Sequence, residues 1–169
     1  MATEFGEEER EKIAHCVGIA SIKFADLMNH RLSDYIFDIS RFTRFEGKTG
    51  PYVMYAAVRI KSVLSKASRR NLTPTAILPA ASTVETNLML QLALFPDIVM
   101  KSYKAREPHH LCEYACSLAQ EFNRFYHECP ILREADIERR GSFLSLLQVT
   151  LATLEKVLDI IGIHVPERM

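Results

Sequence analysis

Phe45-Glu46-Gly47-Lys48-Thr49-Gly50-Pro51-Tyr52-Val53-Met54-Tyr55-Ala56-Ala57-Val58-Arg59 is a turn-forming segment that runs straight into a helix. Pro51 suits the first helical turn, where its missing N–H would find no partner in any case. From Val53 onward the apolar residues Val53, Ala56, Ala57, Ile60, Val63, Leu64 and Ala67 recur at helical spacing. The opposite arc reads Tyr52, Tyr55, Arg59, Ser62, Lys66, Arg69 and Arg70. At about 100° per residue, one face packs and the other offers two phenols, a guanidinium and a basic tail. Tyrosines that stack on bases and arginines that pair with phosphate are the components of a single-stranded RNA site.

Working outward, the sequence predicts helices throughout. Residues 7–30 form a long helix with Ile13, Val17, Ala20, Ile22 and Phe24 as apolar contacts, and Gly18 marks a break or a close approach in its middle. Residues 32–50 read as mostly irregular, with a short aromatic-rich piece at 35–42. After the helix at 51–69, Pro74 and Pro79 mark residues 70–81 as a loop. Ser82-Thr83-Val84-Glu85 is a capping-box pattern that opens a helix to Leu94. Pro96 begins a short helix to about residue 106, and Pro108 begins another that Cys129-Pro130 stops. A last helix runs from Asp136 to about Ile161, with Gly162 as its cap. No strand-like alternation interrupts this series. The predicted fold class is all-α, an antiparallel helical bundle joined by short loops.

Composition narrows the possible functions. The chain has 169 residues, 48% of them hydrophobic, which is enough for one domain with a real core. Its 21 basic and 21 acidic residues cancel, so no bulk field draws in RNA. The charge is uneven, however. Between Glu46 and Glu85 there is no acid, and Lys48, Arg59, Lys61, Lys66, Arg69 and Arg70 form a local basic strip. Glu4, Glu7, Glu8 and Glu9 give the N-terminus the wrong sign for an export signal, and a cytoplasmic, reducing setting is expected. Cys112 and Cys116 lie one helical turn apart with His109 on the same face, which is half a metal site. A structural zinc needs four ligands, and no second close pair follows, so buried apolar thiols and no metal are expected. No apolar run approaches the roughly 18 residues of a membrane span.

The quoted stretch resembles the FEG-x-T-x-PYLQYA-x-x-R segment of arginyl-tRNA synthetases. Lys23-Phe24-Ala25-Asp26-Leu27 and Arg31-Leu32-Ser33-Asp34-Tyr35-Ile36-Phe37-Asp38 resemble that family's KYADL and RLSDYVFD. Glu107-Pro108-His109-His110-Leu111-Cys112 resembles EPHRLC, and Phe122-Asn123-Arg124-Phe125-Tyr126-His127-Glu128-Cys129-Pro130 resembles FNSFYEHCP. The chain closes on Leu158-Asp159-Ile160-Ile161-Gly162-Ile163-His164-Val165-Pro166-Glu167-Arg168-Met169, similar to LDLLGI-x-x-PERM. Order and spacing hold over nearly the whole sequence.

The resemblance implies a C-terminal piece of such an enzyme: a connector at residues 1–45 and a DALR-type anticodon-binding helical domain at 46–169. The class I HIGH signature and KMSK-type loop are not present, so no catalytic residue and no cofactor are assigned here. ATP and Mg belong to the parent's catalytic domain. Carried over position by position, Gly47, Tyr52, Tyr55, Arg59, Tyr126 and Met169 are the implied tRNA-binding residues. Lys48, Lys61, Lys66, Arg69 and Arg70 are candidate phosphate neighbours without base preference. The implied partners are the anticodon stem-loop of tRNA-Arg and the protein's own catalytic domain, with no membrane. The chain departs from the family's common pattern at Met54, Lys48 and Ile39. Two other readings remain open at this point: a free-standing helical RNA-binding paralogue without ligase activity, and a bundle that binds protein through the 51–70 face.

Overall fold

The computed structural model describes residues 5–169; Glu4 of the acidic N-terminal run lies outside the described residues. Among the described residues seven helices follow in order: α1 Glu7–Leu27, α2 Ile39–Phe42, α3 Gly50–Arg69, α4 Thr83–Ala93, α5 Phe95–Ala105, α6 His109–Glu128 and α7 Ile137–Ile160. There is no strand among the described residues.

α3 is the spine, packed against α1, α6 and α7. Its start is fixed as the sequence requires. The Thr49 hydroxyl accepts from the Tyr52 N–H at 3.2 Å and donates to the Arg44 carbonyl at 2.6 Å, so the loop before the helix is fastened to its first turn. Val53, Met54, Ala57 and Ile60 are fully buried. Met54 is therefore a core residue where the pattern placed it on neither face. Burying side chains of this size contributes about 1.5–3 kcal/mol each. α3 ends with Asn71 in a left-handed conformation at φ 55, and the N–H groups of Leu72 and Asn71 return to the carbonyls of Ala67 and Ser68.

α1 contributes Ala20 and Phe24 to the same core, while Ile22 is half exposed. The expected break at Gly18 does not occur: the helix passes through it, and the residue faces open space. α1 stops at Leu27, three residues before the predicted end. The close approach falls instead at Gly50, where a Cβ would lie 2.4 Å from the Ala20 carbonyl oxygen.

The capping box at Ser82 is present. Ser82 Oγ accepts from the Glu85 N–H at 3.3 Å and donates to the Glu85 carboxylate at 3.0 Å. The other Glu85 oxygen takes Arg139 Nη1 at 2.9 Å, which ties α4 to α7. The 70–81 loop lies along the start of α7, with the Leu78 N–H donating to Ser142 Oγ at 2.9 Å.

α7 ends one residue before the predicted boundary, and Gly162 follows its cap at φ 72. The Ile163 and Gly162 N–H groups donate to Leu158 and Asp159 at 2.8 and 2.9 Å, closing the helix and turning the tail back over the core, where Ile163 and Val165 are buried.

Candidate nucleic-acid interface

The exposed arc of α3, the late turns of α6 and the last residue of the chain enclose an open cleft of about 490 Å³. Tyr55, Arg59 and Lys66 line it from α3, Tyr126 and His127 from α6, and Met169 from the tail. Four of the six residues named by resemblance thus meet in one place, although they come from three distant parts of the sequence.

Arg59 lies at the centre of the cleft. Its guanidinium carbon lies 4.7 Å from the centre of the Tyr55 ring and 5.4 Å from that of Tyr126. One amino group donates to the Tyr55 hydroxyl at 3.1 Å and the other to Asn123 Oδ1 at 3.3 Å. The cation is held between two aromatic faces by cation–π attraction and two hydrogen bonds, with donors left over for a phosphate or a base edge. Tyr55 and Tyr126 are 40% and 39% exposed, so each ring offers a face to a ligand. Each ring has an aromatic neighbour: the exposed Phe45 meets Tyr55 edge-on at 6.3 Å, and the fully buried Phe122 backs Tyr126 at 5.9 Å. Tyr126 also walls a second hollow of about 350 Å³ that reaches Arg133. An exposed ring between two hollows suits a chain of stacked nucleotides.

Tyr52 is placed differently from Tyr55. It is half-buried against the core, and its hydroxyl accepts from Asn123 Nδ2 at 3.0 Å. It lies outside the cleft lining and buttresses the site through Asn123. The sequence reading missed Asn123. One signal was available: it lies one helical turn before Tyr126 and so shares its face.

Gly47 is exposed at φ 77 with no atom near the position of a Cβ, in the loop that presents Phe45 beside Tyr55. Lys48 lies in the same loop but lines a different hollow, with Arg41, Asn29 and Tyr35.

Of the basic candidates, Lys66 lines the cleft, and Arg69 and Arg70 continue exposed beyond it to the end of α3. Lys61 is a correction to the expectation of a phosphate neighbour. Its largely buried ammonium is held between Glu155 at 2.9 Å and Glu167 at 2.8 Å. Burial pulls its pKa down, but the hydrogen bonds to Glu167 and Glu155 outweigh this and leave it above the usual lysine value. It binds the tail to α3 and α7. A second clamp follows, where Arg168 forms a two-pronged ion pair with Glu9 of α1. Glu167 and Arg168, the two residues before the last, are thus anchored, and Met169 packs against the core and lines the cleft.

The cysteines are all free. Burial pushes the Cys112 and Cys116 thiols up to about 12 and Cys129 up to about 11, so they are protonated apolar groups. His109 turns away from them, toward Glu107 and His110. Among the described residues, no helix is long and apolar enough to cross a membrane.

The described residues thus form an all-helical bundle that carries an aromatic–guanidinium cleft bordered by its own C-terminal tail. The DALR anticodon binding domain family matches residues 53–169, and the chain belongs to that family. It is 44% identical to the arginine–tRNA ligase of Maricaulis maris over all of its own length and 29% of the relative's. With that of Hyphomonas neptunium it shares 45% identity, over 28% of the relative's length. Among solved structures, Thermus thermophilus arginyl-tRNA synthetase superposes with a TM-score of 0.89 at 31% identity, covering 99% of this chain and 29% of that one. The chain thus spans less than a third of the length of each of these three relatives.

Proposed function

We propose that this chain is the C-terminal, tRNA-binding part of an arginine–tRNA ligase and that it holds the anticodon loop of tRNA-Arg in the Tyr55–Arg59–Tyr126 cleft. The observation that carries the reading is the convergence of these three side chains with Met169 on one open cleft. Unpaired bases stack on the two exposed rings, Arg59 and Lys66 meet phosphate or base edges, and the tail closes one side. The parent reaction is ATP-dependent attachment of arginine to tRNA, with ATP and Mg bound in the catalytic domain. Docking the anticodon here positions the acceptor end at that distant centre, in a cytoplasmic enzyme.

Residues 1–45 serve as the connector to the catalytic domain, and 46–169 as the anticodon-binding domain. Leu32, Ile36 and Phe37 are 82%, 88% and 61% exposed in the connector, an apolar surface that the remainder of such an enzyme would cover. The test is a titration of the 169-residue chain with an arginine-accepting tRNA against an unrelated tRNA. Tighter binding of the arginine acceptor, weakened as salt rises, supports the reading; equal affinity for both tRNAs sinks it.

A further inference from the structure

A second cluster of chemistry-bearing side chains lies away from the cleft, where the segment after α1 meets the start of α6. His30 Nε2 is 3.2 Å from one Glu107 carboxylate oxygen. His110 Nε2 is 3.1 Å and His109 Nε2 4.0 Å from the other. One ligand atom each from Glu107, His109 and His110 falls within a common 4.8 Å. The His30 and His109 rings are 5.4 Å apart, and those of His109 and His110 4.1 Å apart. The side chains of His109 and His110 are each 14% exposed, and that of Glu107 is 24% exposed. His109 Nδ1 is buried with no hydrogen-bond partner.

We propose that Glu107, His109, His110 and His30 form a binding site for a zinc-class divalent transition-metal ion, independent of the RNA cleft. Zn–N bonds of about 2.0–2.1 Å in tetrahedral geometry put neighbouring ligand atoms roughly 3.4 Å apart. The 3.1 and 4.0 Å separations of His110 and His109 Nε2 from one Glu107 oxygen bracket that value, and His30, which lies on the other oxygen and outside that close trio, would complete the set by rotating toward it. Three imidazoles and one carboxylate are a borderline-soft donor set, which selects zinc, cobalt or nickel over magnesium or calcium. The positive end of α6 opposes a cation here, and the Glu107 charge offsets it, so affinity is moderate. Bound metal would staple the segment after α1 to the α5–α6 junction more firmly than the His30–Glu107 contact and the contact of Arg31 with the Arg106 carbonyl already do.

The experiment uses the chelator-stripped 169-residue chain. Zn²⁺ is titrated calorimetrically, with Mg²⁺ as control, and Co²⁺ is followed by visible absorption. Expected are one zinc per chain, a raised Tm, and tetrahedral cobalt bands without sulfur charge-transfer absorption. His30→Ala and Glu107→Gln should each weaken zinc at least tenfold, while His15→Ala leaves it unchanged. Zinc affinity untouched by His30→Ala and Glu107→Gln, sulfur bands in the cobalt spectrum, or no zinc binding tighter than millimolar overturns the proposal. His30 and Glu107 are chosen because both are partly exposed, so folding survives the change, and circular dichroism checks it. None of these outcomes bears on tRNA binding.

Discussion

The guanidinium of Arg59 on α3 lies 5.4 Å from the ring centre of Tyr126 on α6. That contact joins two helices across the cleft and fixes the spacing between two exposed phenol rings. The shape of the cleft therefore depends on side chains that hold one another, and each can be tested separately.

Tyr55→Ala and Tyr126→Ala should each weaken tRNA binding by about 1–3 kcal/mol, roughly 5- to 150-fold, since each removes one stacking face. Both rings are about two-fifths exposed, so thermal stability should change little. Tyr126→Phe should bind nearly as well as wild type. Filter binding paired with thermal melts checks this; unfolding in place of lost affinity would put the rings in the core.

Asn123→Ala removes the acceptor for Arg59 and the donor to Tyr52 together. A loss of about 1 kcal/mol per hydrogen bond predicts a Tm lower by a few degrees and a clear fall in tRNA affinity. Tyr52→Phe should reproduce part of the stability loss with a smaller effect on binding, because Tyr52 lies outside the cleft lining.

Lys66 and Lys61 make opposite predictions from one helix. Lys66→Ala should flatten the dependence of log affinity on log salt by about 0.7, as expected for one lost phosphate contact to a single strand. Lys61→Met should leave that slope alone, because its charge is already taken by Glu155 and Glu167. A changed slope in Lys61→Met would show that the lysine leaves its carboxylates to meet RNA.

Gly50→Ala should destabilise the fold by about 1–3 kcal/mol, even though alanine is the better helix former by about 1 kcal/mol. The added Cβ would meet the Ala20 backbone carbonyl, which has no rotamer by which to move aside. Chemical denaturation of the two proteins measures the difference.

The tail clamp should loosen in acid. The hydrogen bond from Arg168 lowers the Glu9 carboxyl from its ordinary value. A carboxyl with a depressed folded-state pKa contributes fully above its unfolded value and loses that contribution as pH falls through the folded one. Below the ordinary carboxylate range the tail should loosen, seen as faster amide exchange at residues 165–169. Glu9→Gln should show the same loosening at neutral pH.

Much of this was legible in the sequence because helical signals are local. Ser82 with Glu85 opens α4, and Gly162 closes α7 through its own left-handed backbone; neither needs a distant partner. The alternation of core and surface along α3 separates Ile60 from Tyr55 by geometry alone. Periodicity assigns a residue to an arc, however, not to a degree of exposure. Tyr52 and Tyr55 share an arc, yet the first is half-buried beside Asn123 and the second faces solvent.

The order of residues therefore determined every described helix except the four-residue α2 at Ile39–Phe42, which lies in a stretch read as mostly irregular, together with the boundaries within a few positions, the family and the chemical character of the α3 face. Only the folded arrangement decided which charges remain available. Lys61 and Lys66 look alike in sequence, but Glu155 and Glu167 reach one and neither reaches the other. It also decided that His109 joins His30 and Glu107 rather than Cys112 and Cys116. Coulombic attraction and hydrogen bonding act over a few ångströms of space, and packing distant segments together supplies partners that spacing along the chain does not encode.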